Sequence, residues 1–162
     1  MNYKLINYTK TPNELLHKII QFVFPSGLNN VKIILRYCRF NSDQFEGTAY
    51  SDSNRVSLKI SRRLELPFCC GEKSQNKFGY IDMSILKTRE EAIISLCAHE
   101  LRHLWQNTVS KQDFTKTRLH KFTVGNKKHE CLYKMEKDAS IYARKMLLKW
   151  RKYKKYDKNS KY

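Results

Sequence analysis

Two imidazoles and a carboxylate dominate the chemistry written into this chain: His99-Glu100-Leu101-Arg102-His103 is a His-Glu-x-x-His pentapeptide. Residues four apart lie on one helix face, so both imidazoles can reach a single metal ion from one rigid element, with Glu100 aimed at a water on that metal. Zinc suits such a site. It lowers the pKa of its water toward neutrality, and the neighbouring carboxylate can take the proton and later deliver it to a leaving amine. A chain with this His and Glu content carries on the order of 0.01 such pentapeptides by chance, so the pattern is specific although short. The plain alternative is a helix whose two histidines sit at the core edge, paired to nearby acids.

A catalytic zinc needs a third protein ligand while one position stays open. Four residues could supply it: Glu136, Asp138, His129 and His120. The continuation with Gly three residues after the second His and another His three further on is excluded, because those places hold Gln106 and Val109.

These side chains need helices to carry them. Thr88 and Glu91 form a capping box opening a helix to about Gln106, with Ala92, Leu96, His99 and His103 along one line and Ile93, Cys97, Leu101 and Leu104 beside it. After Gly125 a helical pattern runs from about Lys128 to Trp150, carrying Leu132, Met135, Ala139, Tyr142, Ala143, Met146 and Leu147 on one side. Near the start, Thr11, Pro12 and Glu14 read as N-cap, first residue and N3 of a further capping box, whose helix ends about Phe24 before Pro25. Strands are expected at Val31 to Phe40, Phe45 to Tyr50 and Arg55 to Ile60, the last alternating Val56, Leu58 and Ile60, with one more at Gly79 to Ile85. Residues 62 to 77 read as an irregular loop. Strands before helices predict an α+β fold rather than βαβ alternation.

The second helix completes a resemblance. Glu136-Lys137-Asp138-Ala139-Ser140-Ile141-Tyr142-Ala143 is similar to the Glu-x-x-Ala-Asp-x-Phe-Ala of intracellular gluzincin-type zinc metallopeptidases, where a His-Glu-x-x-His helix precedes a helix bearing a glutamate ligand. The resemblance covers roughly residues 45 to 150. It implies a zincin-like fold with a small twisted sheet of three or four strands, Zn2+ held by His99, His103 and Glu136, and Glu100 as general base in peptide hydrolysis. An edge strand above the metal would pair with an extended substrate, a place that Arg55 to Ile60 or Gly79 to Ile85 could take. The departures are Ser140, where the family has an Asp that hydrogen-bonds the first ligand histidine, and Arg102 at a position that prefers no charge. A second likeness is to the SprT-like group, basic intracellular zincins associated with DNA-bound protein substrates. There the third ligand is a downstream histidine, which would be His129. A catalytically silent zincin-like module that binds nucleic acid or protein is the competing class.

The 162 residues fit one domain, expected over residues 1 to 150 with a basic, frayed tail at 151 to 162. No apolar run is long enough to cross a bilayer and Met1 to Lys10 lacks a secretory signal pattern, so we expect a cytoplasmic protein with no membrane partner. Five cysteines without a repeated Cys-x-x-Cys argue against a structural zinc ribbon or a disulfide scaffold; Cys38 and Cys97 read as core residues, Cys69 and Cys70 as thiols in a turn. The formal charge of +17 attracts polyanions, although AT-rich coding yields the same Lys-rich, Asn-rich composition. From Arg144 to Tyr162 nine Lys or Arg face one acid, Asp157. This segment reads as a solvated helix end or as a nucleic-acid arm whose Trp150, Tyr153, Tyr156 and Tyr162 stack on unpaired bases. Trp105 is expected in the core or a groove wall, His17 at the surface, and Tyr133 and Tyr142 as packing residues that could also reach an oxyanion.

Overall fold

The structure, a computed structural model, describes residues 1–38, 45–62, 85–110, 119–124 and 127–159. Its elements in chain order are β1 (Tyr3–Asn7), α1 (Asn13–Val23), β2 (Val31–Tyr37), β3 (Phe45–Tyr50), β4 (Arg55–Ile60), α2 (Arg89–Thr108), β5 (Leu119–Val124), β6 (Lys127–Leu132) and α3 (Tyr133–Asn159). The fold is α+β: a mixed four-stranded sheet of order β1-β2-β4-β3, a separate β5-β6 hairpin, and three helices among the described residues. β1 and β4 both pair with β2 in parallel, and β3 closes the sheet antiparallel to β4.

Alternation sets the sheet's buried face. Val31, Ile33 and Leu35 of β2 and Val56, Leu58 and Ile60 of β4 are buried, and α1 and α2 cover them with Leu16, Ile19, Ile20, Ile94, Leu101 and Leu104. The turn between β3 and β4 is pinned by Asn54, which holds φ at 45° and donates its amide to the carbonyls of Asn29 and Asn30 at 2.7 and 3.0 Å. A short polar side chain tolerates the left-handed region that such a turn demands.

Several expectations need correcting. β1, α1 and β2 form a βαβ unit, so alternation is present at the N-terminus. β1 escaped notice because five residues containing Lys4 and Asn7 bury little until β2 lies beside them. The first capping box does not form. Pro12 occupies the N-cap with an extended ψ of 135° and no side-chain cap, while the Thr11 carbonyl accepts from Asn7 Nδ2 at 2.7 Å. The Thr88 cap does form, its hydroxyl accepting the Glu91 N–H at 3.2 Å. Strand β2 ends at Tyr37 and does not include Cys38, while residues 39 and 40 of the expected strand lie outside the described residues. The proposed strand Gly79 to Ile85 lies outside the described residues except for Ile85, which is not in a strand; the loop at 62 to 77, beyond Arg62, and Cys69 and Cys70 lie outside them too.

The C-terminal region differs most. α3 starts at Tyr133 rather than Lys128, because Lys127–Leu132 pairs with Leu119–Val124 as a hairpin. It also continues to Asn159, so residues 151 to 159 are not a frayed tail. Acids at the start of α2 hold it: Arg151 places Nε 2.8 Å and Nη2 2.8 Å from the two Glu91 oxygens, with Nη2 also 2.5 Å from the Ile85 carbonyl. Trp150 Nε1 donates to Glu90 at 2.6 Å and Lys154 pairs with the same carboxylate at 3.1 Å. The Arg151 hydrogen bond outweighs burial and holds the Glu91 carboxyl below its usual range. Replacing Arg151 by Ala strips a buried carboxylate of its bidentate partner, so we expect a loss of roughly 1–3 kcal/mol in urea unfolding. An unchanged midpoint would mean that this clamp is not formed in solution.

No helix among the described residues is long and apolar enough to cross a membrane.

Candidate metal centre

α2 is buried along most of its length, packed between the sheet, α1 and α3, which fixes the side chains of its last three turns. His99 and His103 project toward α3 with their Nε2 atoms 3.0 Å apart. α3 answers with Glu136. Its Oε2 lies 3.3 Å from His99 Nε2 and its Oε1 3.3 Å from His103 Nε2. One ligand atom from each of these three residues falls within 4.8 Å of the others, so the group could hold a metal ion. The donor set of two imidazoles and a carboxylate is that of a three-ligand site with an open position. One orphaned atom fits the same reading: Glu136 Oε2 is buried and makes no geometrically sound hydrogen bond, a state that a coordinated cation would relieve.

Without metal the site is an ion pair in which Glu136 is ionised and His103 holds its proton. Burial disfavours a charged His103, but the hydrogen bond and charge of Glu136, helped by Glu100 and Gln106, push it up to about 9. Burial would raise the Glu136 carboxyl, yet His103 and His99 outweigh it and hold the group far below the carboxylate range.

Glu100 lies beneath β3, within electrostatic reach of this trio. Burial pushes its carboxyl up; the imidazoles of His99 and His103 and the N–H of Ala49 oppose the rise, and Glu136 adds to it. The approach is possible only because β3 has Gly47 at this point: a Cβ there would collide with the Glu100 side chain. Sequence reasoning missed Gly47, since a glycine in a short strand signals close approach without naming what approaches.

The partners of the imidazoles also differ from expectation. His103 Nδ1 lies 2.9 Å from Gln106 Oε1, and Gln106 Nε2 donates to Asp138 Oδ2 at 2.7 Å and to the Met135 carbonyl at 3.0 Å. Asp138 in turn accepts from Arg102 Nε at 2.7 Å and Nη2 at 3.1 Å, and the guanidinium stacks 3.9 Å above the Trp105 ring. Asp138, one of the four candidate third ligands, therefore serves as an anchor for Gln106. Arg102, the charge that sits awkwardly in the motif, is its counter-ion. The position of Gln106, three residues after His103 on the same helix face, was the available signal for this chain. His99 has no such support. Among the described residues its Nδ1 finds no hydrogen-bond partner, and neither does Ser140 Oγ, the residue standing where the resemblance calls for Asp.

Comparison of the chain with family models, curated proteins and solved structures returned no match. The site therefore rests on its own geometry.

The remaining sequence candidates fall away from it. Tyr142 donates its hydroxyl to the Val23 carbonyl at 2.9 Å, tying α3 to α1, which leaves it no role toward an oxyanion. Trp105 donates to the Ser26 carbonyl at 3.0 Å, as a packing residue would. Cys97 is buried, and burial, with the Glu100 charge adding, pushes its thiol up to about 12, so it is inert. Cys38 is half-buried, and His17 is exposed with its ring 2.7 Å from the Tyr3 hydroxyl. The side chains of His120, His129 and Tyr133 lie outside the described residues.

Proposed function

We propose that this protein is a zinc-dependent, zincin-like metallopeptidase in which His99, His103 and Glu136 hold the metal and Glu100 is the general base. The observation that carries the reading is the convergence of three ligands from two helices, with a buried carboxylate alongside that takes part in neither of their two ion pairs. When bound, zinc supplies Lewis acidity that polarises a carbonyl and brings a water's pKa toward neutrality. Glu100 then does what its surroundings favour. Burial raises its proton affinity, bringing it nearer the working pH, while the Ala49 N–H holds one face of the carboxylate in place. It takes a proton from the attacking water and returns it to the leaving amine. Gln106 keeps the His103 ring oriented with Nε2 toward the site.

β3 supplies the substrate groove in this reading. Of the two strands suggested by sequence, Arg55 to Ile60 is β4, which lies between β2 and β3 and has no edge to offer, and residues 79 to 84 of the other lie outside the described residues; β3 is an edge strand among the described residues and carries both Gly47 and Ala49 over Glu100. An extended peptide adding to β3 would lay its scissile bond beside the metal trio.

The test is metal analysis of the purified chain together with hydrolysis of a denatured-protein library. Near-stoichiometric zinc and chelator-sensitive cleavage restored by zinc are expected. A chain that takes up no metal overturns the proposal, and one that holds zinc yet cleaves nothing points to the silent binding module instead.

The pH dependence of metal uptake follows from the ion pairs. In the metal-free protein His103 is raised from 6.5 to about 9, so at pH 7 a proton must leave before zinc can enter. Zinc affinity should then climb by up to about tenfold per pH unit toward pH 9, as measured by chelator competition. The same shifts act on stability without metal. The His103 contribution is fully present below pH 6.5 and fades as pH rises through about 9. The Glu136 contribution is present above its ordinary 4.5 and fades below it. Urea midpoints of chelator-treated protein should peak between those limits, and a flat profile from pH 5 to 9 would contradict the pairing.

A further inference from the structure

The +17 charge has no part in the metal centre, and the structure shows where much of it is displayed. The apolar side of α3 is consumed by the fold: Ala139, Ala143, Met146, Leu147 and Trp150 are buried. The opposite side is open to solvent. There Lys134, Arg144, Lys145, Lys149, Lys152 and Lys155 are all exposed, and at about 100° per residue they fall within an arc of about 140° on one face. Ile141 and Leu148, 58% and 47% exposed, fill the seam between them. Ile141, Arg144, Lys145, Leu148, Lys149 and Lys152 line a shallow open groove. No acid interrupts the row: Glu136 faces the histidines and Asp138 faces Arg102. With a rise of 1.5 Å per residue, the cations from Lys134 to Lys155 extend over about 30 Å, close to one turn of duplex DNA.

We propose that this face of α3 binds the phosphate backbone of double-stranded nucleic acid. A long stripe of a single sign matches a partner of uniform opposite charge better than a folded protein, whose surface alternates in sign. A membrane is disfavoured by the same packing. A helix that lies in a lipid interface needs its broad apolar face free, and here that face is the core contact with α1 and α2. The expected mode also shifts from that suggested by sequence. Trp150 is 2% exposed, and Tyr153 has its ring against those of Phe22 and Trp150 at 6.0 and 5.5 Å beneath Lys18, which leaves Tyr156, 72% exposed, as the one freely displayed ring of α3 among the described residues, too few for a stacking platform. Arg151 and Lys154 are engaged with Glu91 and Glu90 and contribute no free charge. Binding is therefore to backbone, indifferent to sequence and without preference for single strands. It does not depend on peptidase activity.

Fluorescence anisotropy of a labelled 20-base-pair duplex with the full chain tests this. Six phosphate contacts predict a slope of log K against log salt near −5, and Lys145→Glu/Lys149→Glu/Lys152→Glu should weaken binding at least about tenfold at 0.1 M salt and flatten the slope by about 3. The control triple, Lys4→Glu/Lys10→Glu/Lys32→Glu, changes net charge equally at exposed positions near β1 and β2 and should bind within about twofold of the parent. Circular dichroism and metal content of both triples report folding. Equal weakening by the two triples makes the effect one of net charge alone and overturns the proposal. So does tighter binding to phosphatidylserine vesicles than to DNA, or a clear preference for a single strand of equal length. Glu100→Gln should bind DNA like the parent, which separates failure here from failure of the peptidase reading.

Discussion

Glu100→Gln should abolish most turnover while leaving the metal in place. The amide is the same size as the carboxylate, it can still accept the Ala49 N–H, and it is not one of the grouped donors His99, His103 and Glu136, so the donor atoms keep their positions. What it cannot do is take a proton. General-base assistance of this kind is worth about 10²–10⁴-fold, and a loss of that size in kcat at unchanged zinc stoichiometry is the expected result. The pH profile adds a second signature. The acidic limb of the parent reports the buried Glu100 and should disappear from the residual activity of the variant, measured on a chromogenic peptide. A variant that retains turnover would remove Glu100 from the chemistry, and the reading of this site as a peptidase with it.

The parts of this molecule that were legible in the sequence are those fixed by local rules. His99, Glu100 and His103 on one helix follow from helical periodicity, and the Thr88 cap follows from side-chain reach; both are present. Glu136 on a following helix was readable because its neighbours Ala139 and Ala143 pack inward at helical spacing. The rest depended on partners distant in the chain. Gly47 and Glu100 meet across 53 residues, and nothing local to β3 announces the contact. Asp138 is a carboxylate two residues from Glu136 and equally plausible as a ligand until Arg102 and Gln106 are seen to claim it. The end of α3 looked like solvated tail because its composition is so basic, and Glu90 and Glu91, sixty residues earlier, are what neutralise Arg151 and Lys154. Local propensity is silent on such tertiary overrides.

The same logic explains how these charges can be buried without metal. Without metal, His103 and Glu136 compensate each other as an ion pair, so burying them carries no uncompensated charge. His99 Nδ1, without a partner among the described residues, is the weak point, since a buried ring nitrogen so placed loses hydration and gains nothing in return.

Removing the ligands one at a time should give a graded series that no purely structural role for these residues reproduces. His103→Ala deletes a donor and should leave purified protein without zinc, because two remaining ligands do not make a closed three-ligand site. Glu136→Gln replaces an anionic donor by a neutral one, and it also removes the charge that keeps His103 protonated, so whatever uptake remains should lose much of its rise toward pH 9. Gln106→Leu leaves all three donors but frees the His103 ring, and a loss of about 10–100-fold in zinc affinity is expected, as for other groups that orient metal ligands. His129→Ala should change nothing. Zinc affinities from chelator competition, with urea midpoints to verify folding, rank the four variants. If His129→Ala loses zinc while Glu136→Gln retains it, the third ligand is the histidine of the SprT-like pattern and the 3.3 Å contacts of Glu136 are an ion pair only.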